Sequence, residues 1–144
     1  MNMNAAVPDR ATPRTQPESF RGRSLAASLT VSDLSRSLAW YRDVVGFTVD
    51  RKFEREGRLA AVALKAGGVE LLLTQDDGAR GAERIKGEGF SLQITTTQDV
   101  DALAQRIQDR GGVLTTEPAE VWGARVFRMQ DPDGFRLTIS SQRS

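Results

Sequence analysis

The sequence predicts an α+β fold of two βαβββ modules that form a curved mixed sheet around a concave pocket, with the helices outside. Three observations predict it. Two stretches, Ser24–Val31 and Phe90–Thr95, alternate apolar and polar residues with the period of a strand. Each is followed by an aspartate and then by apolar residues at helical spacing. Each helix stops at glycine and gives way to three further strand-like runs. The same order therefore occurs twice, and a repeat on this scale outranks any short motif.

Taken in order, residues 1–23 read as a flexible tail. Pro8, Pro13 and Pro17 recur among polar residues, and there is too little apolar surface to offset the entropy of ordering. Arg10, Arg14, Arg21 and Arg23 are accompanied by Asp9 and Glu18 and show no amphipathic period, which argues against a transit peptide. Residues 24–144 form the domain, with modules at 24–75 and 89–141 joined by a polar, glycine-containing linker at 76–88.

In the first module Leu25, Ala27, Leu29 and Val31 share one strand face, and Ala26, Ser28 and Thr30 share the other. Asp33 offers an N-cap, and Leu34, Leu38, Tyr41 and Val45 form one helical stripe. Gly46 suits a left-handed stop. Strands are then expected at Phe47–Phe53, Leu59–Lys65 and Val69–Thr74, with turns at Gly57 and at Gly67–Gly68. In the second module Phe90, Leu92 and Ile94 oppose Ser91, Gln93 and Thr95. Asp99 caps a helix striped by Val100, Leu103 and Ile107, and Gly111–Gly112 ends it. Strands follow at Val113–Thr116, Arg125–Met129 and Phe135–Ser140, with a tight turn over Asp131–Gly134 before the last.

Composition narrows the chemistry. The chain has 144 residues and a formal net charge of +1, so bulk charge attracts neither nucleic acid nor an anionic membrane. No apolar run is long enough to span a bilayer and no secretory signal is seen, so the expected location is the cytoplasm. There is no histidine and no cysteine. Nearly every ordinary zinc, copper or non-haem iron site is thereby excluded, as are serine–histidine and cysteine–histidine nucleophiles.

The chain resembles the vicinal oxygen chelate superfamily, which includes glyoxalase I, extradiol dioxygenases and bleomycin-resistance proteins. The resemblance is carried by Val31-x-Asp33-Leu34-x-x-Ser37, Trp40-Tyr41-Arg42 and Gly46-Phe47. In the second half it is carried by Asp99 to Leu103, Gly111-Gly112, Trp122-Gly123-x-Arg125 and Asp131-Pro132-Asp133-Gly134. It covers Ser24 to Ser140 and is specific for fold more than for chemistry. Metalloenzymes of this family hold metal at four inward strand positions with histidine, glutamate or glutamine. The resemblance places those positions at Ala26, at Leu72 (or Glu70 with a shifted register), at Gly89 and at Thr138. Those side chains do not make a ligand set, so no metal and no cofactor is expected.

The ligand-binding candidates are Ser28, Thr30, Leu72, Gln93, Trp122, Arg128, Arg136 and Thr138. The hydroxyls and Gln93 supply hydrogen bonds from inward strand faces. Trp122 matches a position where bleomycin-resistance relatives line their cleft, against the plainer alternative of packing at a strand edge. Arg136 shares a face with Thr138 and Ser140 and would hold a carboxylate or phosphate. Arg128 is similar, although Arg125–Gln130 alternates poorly. Glu70 is the only candidate general base. Trp40 and Tyr41 are assigned to core packing, and Asp131–Gly134 to a turn in preference to a calcium loop.

The expected partner is a small molecule, and the expected assembly is a homodimer. Three functional classes follow. The first is a metal-free protein that binds a small aromatic or hydrophobic compound, as in drug sequestration. The second is an enzyme of the same fold (a lyase, isomerase or dioxygenase) with a divergent or absent metal site. The third is an interaction module whose concave face is filled.

Overall fold

The computed structural model describes residues 20–81 and 85–142. Most of the expected tail lies outside the described residues. The first strand is β1 (Ala26–Val31), and α1 (Leu34–Ala39) follows it, continued by a π-helical stretch at Trp40–Val45. Three strands complete the module: β2 (Thr48–Arg55), β3 (Arg58–Ala66) and β4 (Val69–Gln75). The second module comprises β5 (Ser91–Thr96), α2 (Val100–Asp109), β6 (Leu114–Val121), β7 (Ala124–Gln130) and β8 (Arg136–Ser141).

Each module makes one four-stranded mixed sheet, ordered β1-β4-β3-β2 and β5-β8-β7-β6. The first and last strands of a module pair in parallel, and the hairpins pair antiparallel. The helix after the first strand makes this possible, because it carries the chain across the sheet before the hairpins begin. The curved sheet is thus delivered as two sheets, one per module.

The helix signals hold at both starts. Asp33 accepts from the Arg36 amide and Asp99 from the Ala102 amide. Gly46 adopts φ 110°, and the Gly46 and Phe47 amides both donate to the Tyr41 carbonyl. This wide turn places Trp40 and Tyr41 edge-on at 4.8 Å and Tyr41 edge-on to Phe47 at 5.7 Å. Three expectations shift. Leu25 precedes β1 and is exposed. Ala104, rather than Leu103, is the buried middle residue of the α2 stripe. The strand expected at Val113–Thr116 begins at Leu114 and runs on to Val121. It includes Pro118, which an edge strand tolerates because no neighbour needs its N–H.

The helix-bearing faces of both sheets share one core. Leu29, Val31, Leu64 and Leu73 come from the first sheet, and Phe127, Met129, Leu137 and Ile139 from the second. The modules meet at Gly112, where a Cβ would lie 2.5 Å from the Ile107 Cγ2 and 2.9 Å from the Val44 Cγ1. They are also tied by polar groups. The Tyr41 hydroxyl donates to Asp131 Oδ2 at 2.7 Å, and both residues are buried. Asp131 Oδ1 accepts from the Asp133 and Phe135 amides, and Asp133 Oδ2 accepts from the Ser32 amide at 3.0 Å. Asp131–Gly134 is the expected turn, but its first residue is also the acceptor that joins the modules.

Burial raises the Asp131 carboxyl above the ordinary aspartate range, with the Tyr41 hydroxyl and two amides pulling the other way. Burial and the neighbouring Asp131 carboxylate raise the Tyr41 hydroxyl strongly, so it stays a donor. A raised carboxyl binds its proton more tightly in the folded state. Its contribution favours folding at acid pH and is lost as pH rises through the folded value.

Tyr41→Phe leaves Asp131 Oδ2 without its donor and is expected to cost about 1–3 kcal/mol in urea unfolding. Asp131→Asn keeps both amide bonds and can donate to the Tyr41 oxygen, so its cost should be smaller. That cost should shrink further as pH rises from about 4 to about 7. A larger Asn penalty at the higher pH would contradict the assignment.

Candidate functional site

The strand faces turned away from the helices carry most of the candidate residues. On the first sheet, Ser28 pairs with Leu72 and Leu72 with Ala63. Thr30 pairs with Thr74, and Ala26 with Glu70. On the second sheet, Gln93 pairs with Thr138 and Thr138 with Arg128. Arg136 pairs with Ser91 and Gln130. Register therefore brings Ser28 and Leu72 together on one sheet, and Gln93, Thr138 and Arg128 on the other. No strand pairing joins the two groups among the described residues.

The same registers test the metal-binding positions. Ser91 opens β5 and pairs with β8 as Ala26 opens β1 and pairs with β4. Gly89 lies in the turn before β5. The third inward position is therefore Ser91, not Gly89. Ala26, Leu72, Ser91 and Thr138 offer no imidazole, thiolate or carboxylate, and Glu70 is a lone acid across from Lys65. Among the described residues no three acidic groups gather as a metal-binding cluster. This donor set does not fit a transition metal.

Two cavities flank the linker. One of about 320 Å³ is lined by Ser28, Thr30, Lys86, Phe90 and Phe135. Phe90 and Phe135 meet edge-on at 6.4 Å there. The other, about 670 Å³, is lined by Ser32, Lys86, Gln130, Asp133 and Arg136. Leu72, Gln93, Trp122, Arg128 and Thr138 line neither. Lys86 stands between the two cavities, its largely buried amine 2.6 Å from Asp76 Oδ2. This pair pins the linker where it leaves β4 and returns toward β5. Lys86, Phe90 and Phe135 were not candidates. The only signal was an isolated lysine in a polar linker, which reads as solvated until the fold buries it.

Trp122 is the clearest departure. It does not pack at a strand edge but sits at the tip of the β6–β7 hairpin, 66% exposed. Its φ is 47° and that of Gly123 is 79°, the geometry of a two-residue turn that favours asparagine or glycine first. Glu56–Gly57 makes the equivalent turn in the first module, with φ 53° and 76°. A bulky residue held at positive φ and left in water is strained without a packing reason among the described residues.

Paired βαβββ modules, each a four-stranded mixed sheet with one helix, define the class of fold. The family model described as "Glyoxalase/Bleomycin resistance protein/Dioxygenase superfamily" matches residues 23–139. The chain belongs to that superfamily. It is 28% identical over 124 residues to "Probable lactoylglutathione lyase" of Vibrio cholerae, covering 81% of this chain and 88% of that one. It is 29% identical to "Lactoylglutathione lyase GLX1" of Arabidopsis thaliana, covering 85% of this chain but 45% of the longer plant protein. Among solved structures it superposes with a TM-score of 0.69 on TnmS3, an antibiotic binding protein from Streptomyces sp. CB03234. Identity there is 22%, over 86% of this chain and 98% of the other, which speaks to fold. Among the described residues no helix is long and apolar enough to cross a membrane.

Trp122→Asn is expected to raise stability by about 1 kcal/mol, because asparagine tolerates the left-handed backbone and tryptophan does not. Urea unfolding measures this. A loss of stability would show that the indole packs on something within the chain.

Proposed function

We propose that this protein binds a small aromatic or hydrophobic molecule without a metal, between helix-free sheet faces. The observation that carries this reading is the residue set Ala26, Leu72, Ser91 and Thr138 at the four inward positions. Two hydroxyls, a methyl and a leucine side chain in place of imidazoles and carboxylates can hold a ligand but cannot hold a Lewis acid. Ser28, Thr30, Gln93 and Thr138 supply hydrogen bonds, Arg128 and Arg136 meet an acidic or electron-rich edge, and Leu72 provides the apolar floor. Trp122 stacks on the ligand from the hairpin tip. The faces belong to separate sheets, so a second copy of the chain, bringing its own face, closes the cup. The working form is then a cytoplasmic homodimer.

A lyase is the competing reading. It is favoured by relatives named lactoylglutathione lyase that this chain matches over most of their length. In that case Glu70 acts as the base.

One experiment separates the two. Chelator-treated protein is melted with and without Ni²⁺, Zn²⁺, Mn²⁺ and Fe²⁺ and assayed for lactoylglutathione lyase activity. A metal at a hundred times its Kd would add about 2.7 kcal/mol. The expected result is no shift and no turnover with any of the four. A clear shift with one metal would overturn the metal-free reading, and turnover abolished in Glu70→Gln would establish the lyase instead. Small aromatic compounds should then raise the melting temperature of the parent protein and quench tryptophan emission, and Trp122→Phe should remove the quench. Mass in solution at micromolar concentration should be that of a dimer.

A further inference from the structure

Beside the shared core, two equivalent junctions between the modules can be compared among the described residues, and they are not alike. Counted from the caps Asp33 and Asp99, Tyr41 of the first module matches Ile107 of the second, and Gly46 matches Gly112. Counted back from the paired strands β4 and β8, Lys65, Ala66, Gly67 and Gly68 match Asp131, Pro132, Asp133 and Gly134. At the first junction Tyr41 meets the Asp131–Gly134 turn and hydrogen-bonds to Asp131, while Asp133 takes the Ser32 amide. At the second junction Ile107 and the Gly67–Gly68 turn line one cavity, and no carboxylate stands at the position of Asp133. That junction is open. It holds a cavity of about 850 Å³ bounded by Val45, Phe47, Val69, Ile94 and Leu103, within the size range of small-molecule sites.

Two arginines reach this cavity. Arg106 lies in the last turn of α2 and Arg110 is its C-cap, four residues on, and both line the cavity with Leu103 and Ile107. Neither guanidinium has a hydrogen-bond or ion-pair partner among the described residues. They are not needed to cap the helix. The carbonyls of Arg106, Ile107 and Gln108 already accept the backbone amides of Arg110, Gly111 and Gly112. Thr95, Thr96 and Gln98 add polar groups at the rim, beside the bare Gly67–Gly68 turn.

We infer that this open junction is a second binding site, separate from the helix-free sheet faces, for a small amphipathic anion. The apolar body lies against Val45, Ile94 and Leu103. The carboxylate is held by Arg106 and Arg110, where the matching junction supplies its own carboxylates from Asp131 and Asp133. Arginine forks suit this task because they bind both oxygens of a carboxylate. The inference does not depend on what the sheet faces bind.

The test uses the full-length protein, uniformly ¹⁵N-labelled, titrated with sodium octanoate and in parallel with 1-octanol. Octanoate should shift the amides of Gly67, Gly68 and Thr95 to Gln98 more than those of Ser28, Gln93 or Thr138. Arg106→Gln/Arg110→Gln should weaken octanoate at least tenfold and leave the weaker octanol titration unchanged. Gly68→Trp adds bulk to the cavity lining and keeps both arginines in the sequence. Its backbone is not at positive φ and a Cβ there meets nothing within 4 Å, so it should fold and abolish both titrations. The amide spectrum reports folding of each variant. The inference is overturned if the junction amides do not move, if octanol binds as tightly as octanoate, or if the double variant binds octanoate like the parent.

Discussion

The hydrogen bond from Tyr41 to Asp131 holds the first module's helix against the second module's last turn, and the arrangement of the whole chain depends on it. Both residues are buried, and the carboxylate is met by the hydroxyl and two backbone amides. A buried carboxylate with three donors is tolerable, whereas one with a missing donor is costly. The same turn sends Asp133 to the Ser32 amide and so fixes where β1 ends. Gln75 fixes the same loop from the other side, accepting from the Leu34 amide and donating to the Ser32 carbonyl. The modules are locked in one relation by directional bonds as well as by the shared apolar core.

That lock decides which surfaces are spent and which are free. One face of each sheet goes to the common core, and the other carries no helix. Because β1 and β5 each pair in parallel with the last strand of their own module, equivalent inward positions fall at the same place in both sheets. The repeat therefore frames four matching strand positions. This chain fills them with alanine, leucine, serine and threonine. These four side chains carry no imidazole, thiolate or carboxylate, and similarity to relatives named lactoylglutathione lyase and to an antibiotic binding protein speaks to fold more than to reaction.

Internal symmetry is also where the chain shows its specialisation. Glu56 and Trp122 occupy matching hairpin tips with matching left-handed backbones, yet one is a solvated acid and the other a large exposed aromatic. Tyr41 and Ile107 occupy matching helix positions, and one junction closes while the other stays open. A repeat folded under the same backbone rules provides its own control. Where the halves differ in chemistry at equal geometry, packing alone is a poor explanation of the difference.

The sequence by itself determined the secondary structure, the twofold repeat and the absence of histidine and cysteine. These depend on local quantities: strand and helix periods, aspartate caps, glycine stops and residue identity. Asp33, Asp99, Gly46 and the two glycine turns act within a few residues of where they stand, so they are legible along the chain. Only the tertiary structure decided that Asp131 joins the modules to Tyr41 across a separation of 90 residues. It alone placed Ser91 rather than Gly89 at the third inward position, buried Lys86 against Asp76, and left Arg106 and Arg110 beside a cavity. Those outcomes depend on strand register and on which faces meet. Long-range contacts set both, and an aspartate in a turn or an arginine on a helix carries no local mark of what the other module will bring to it.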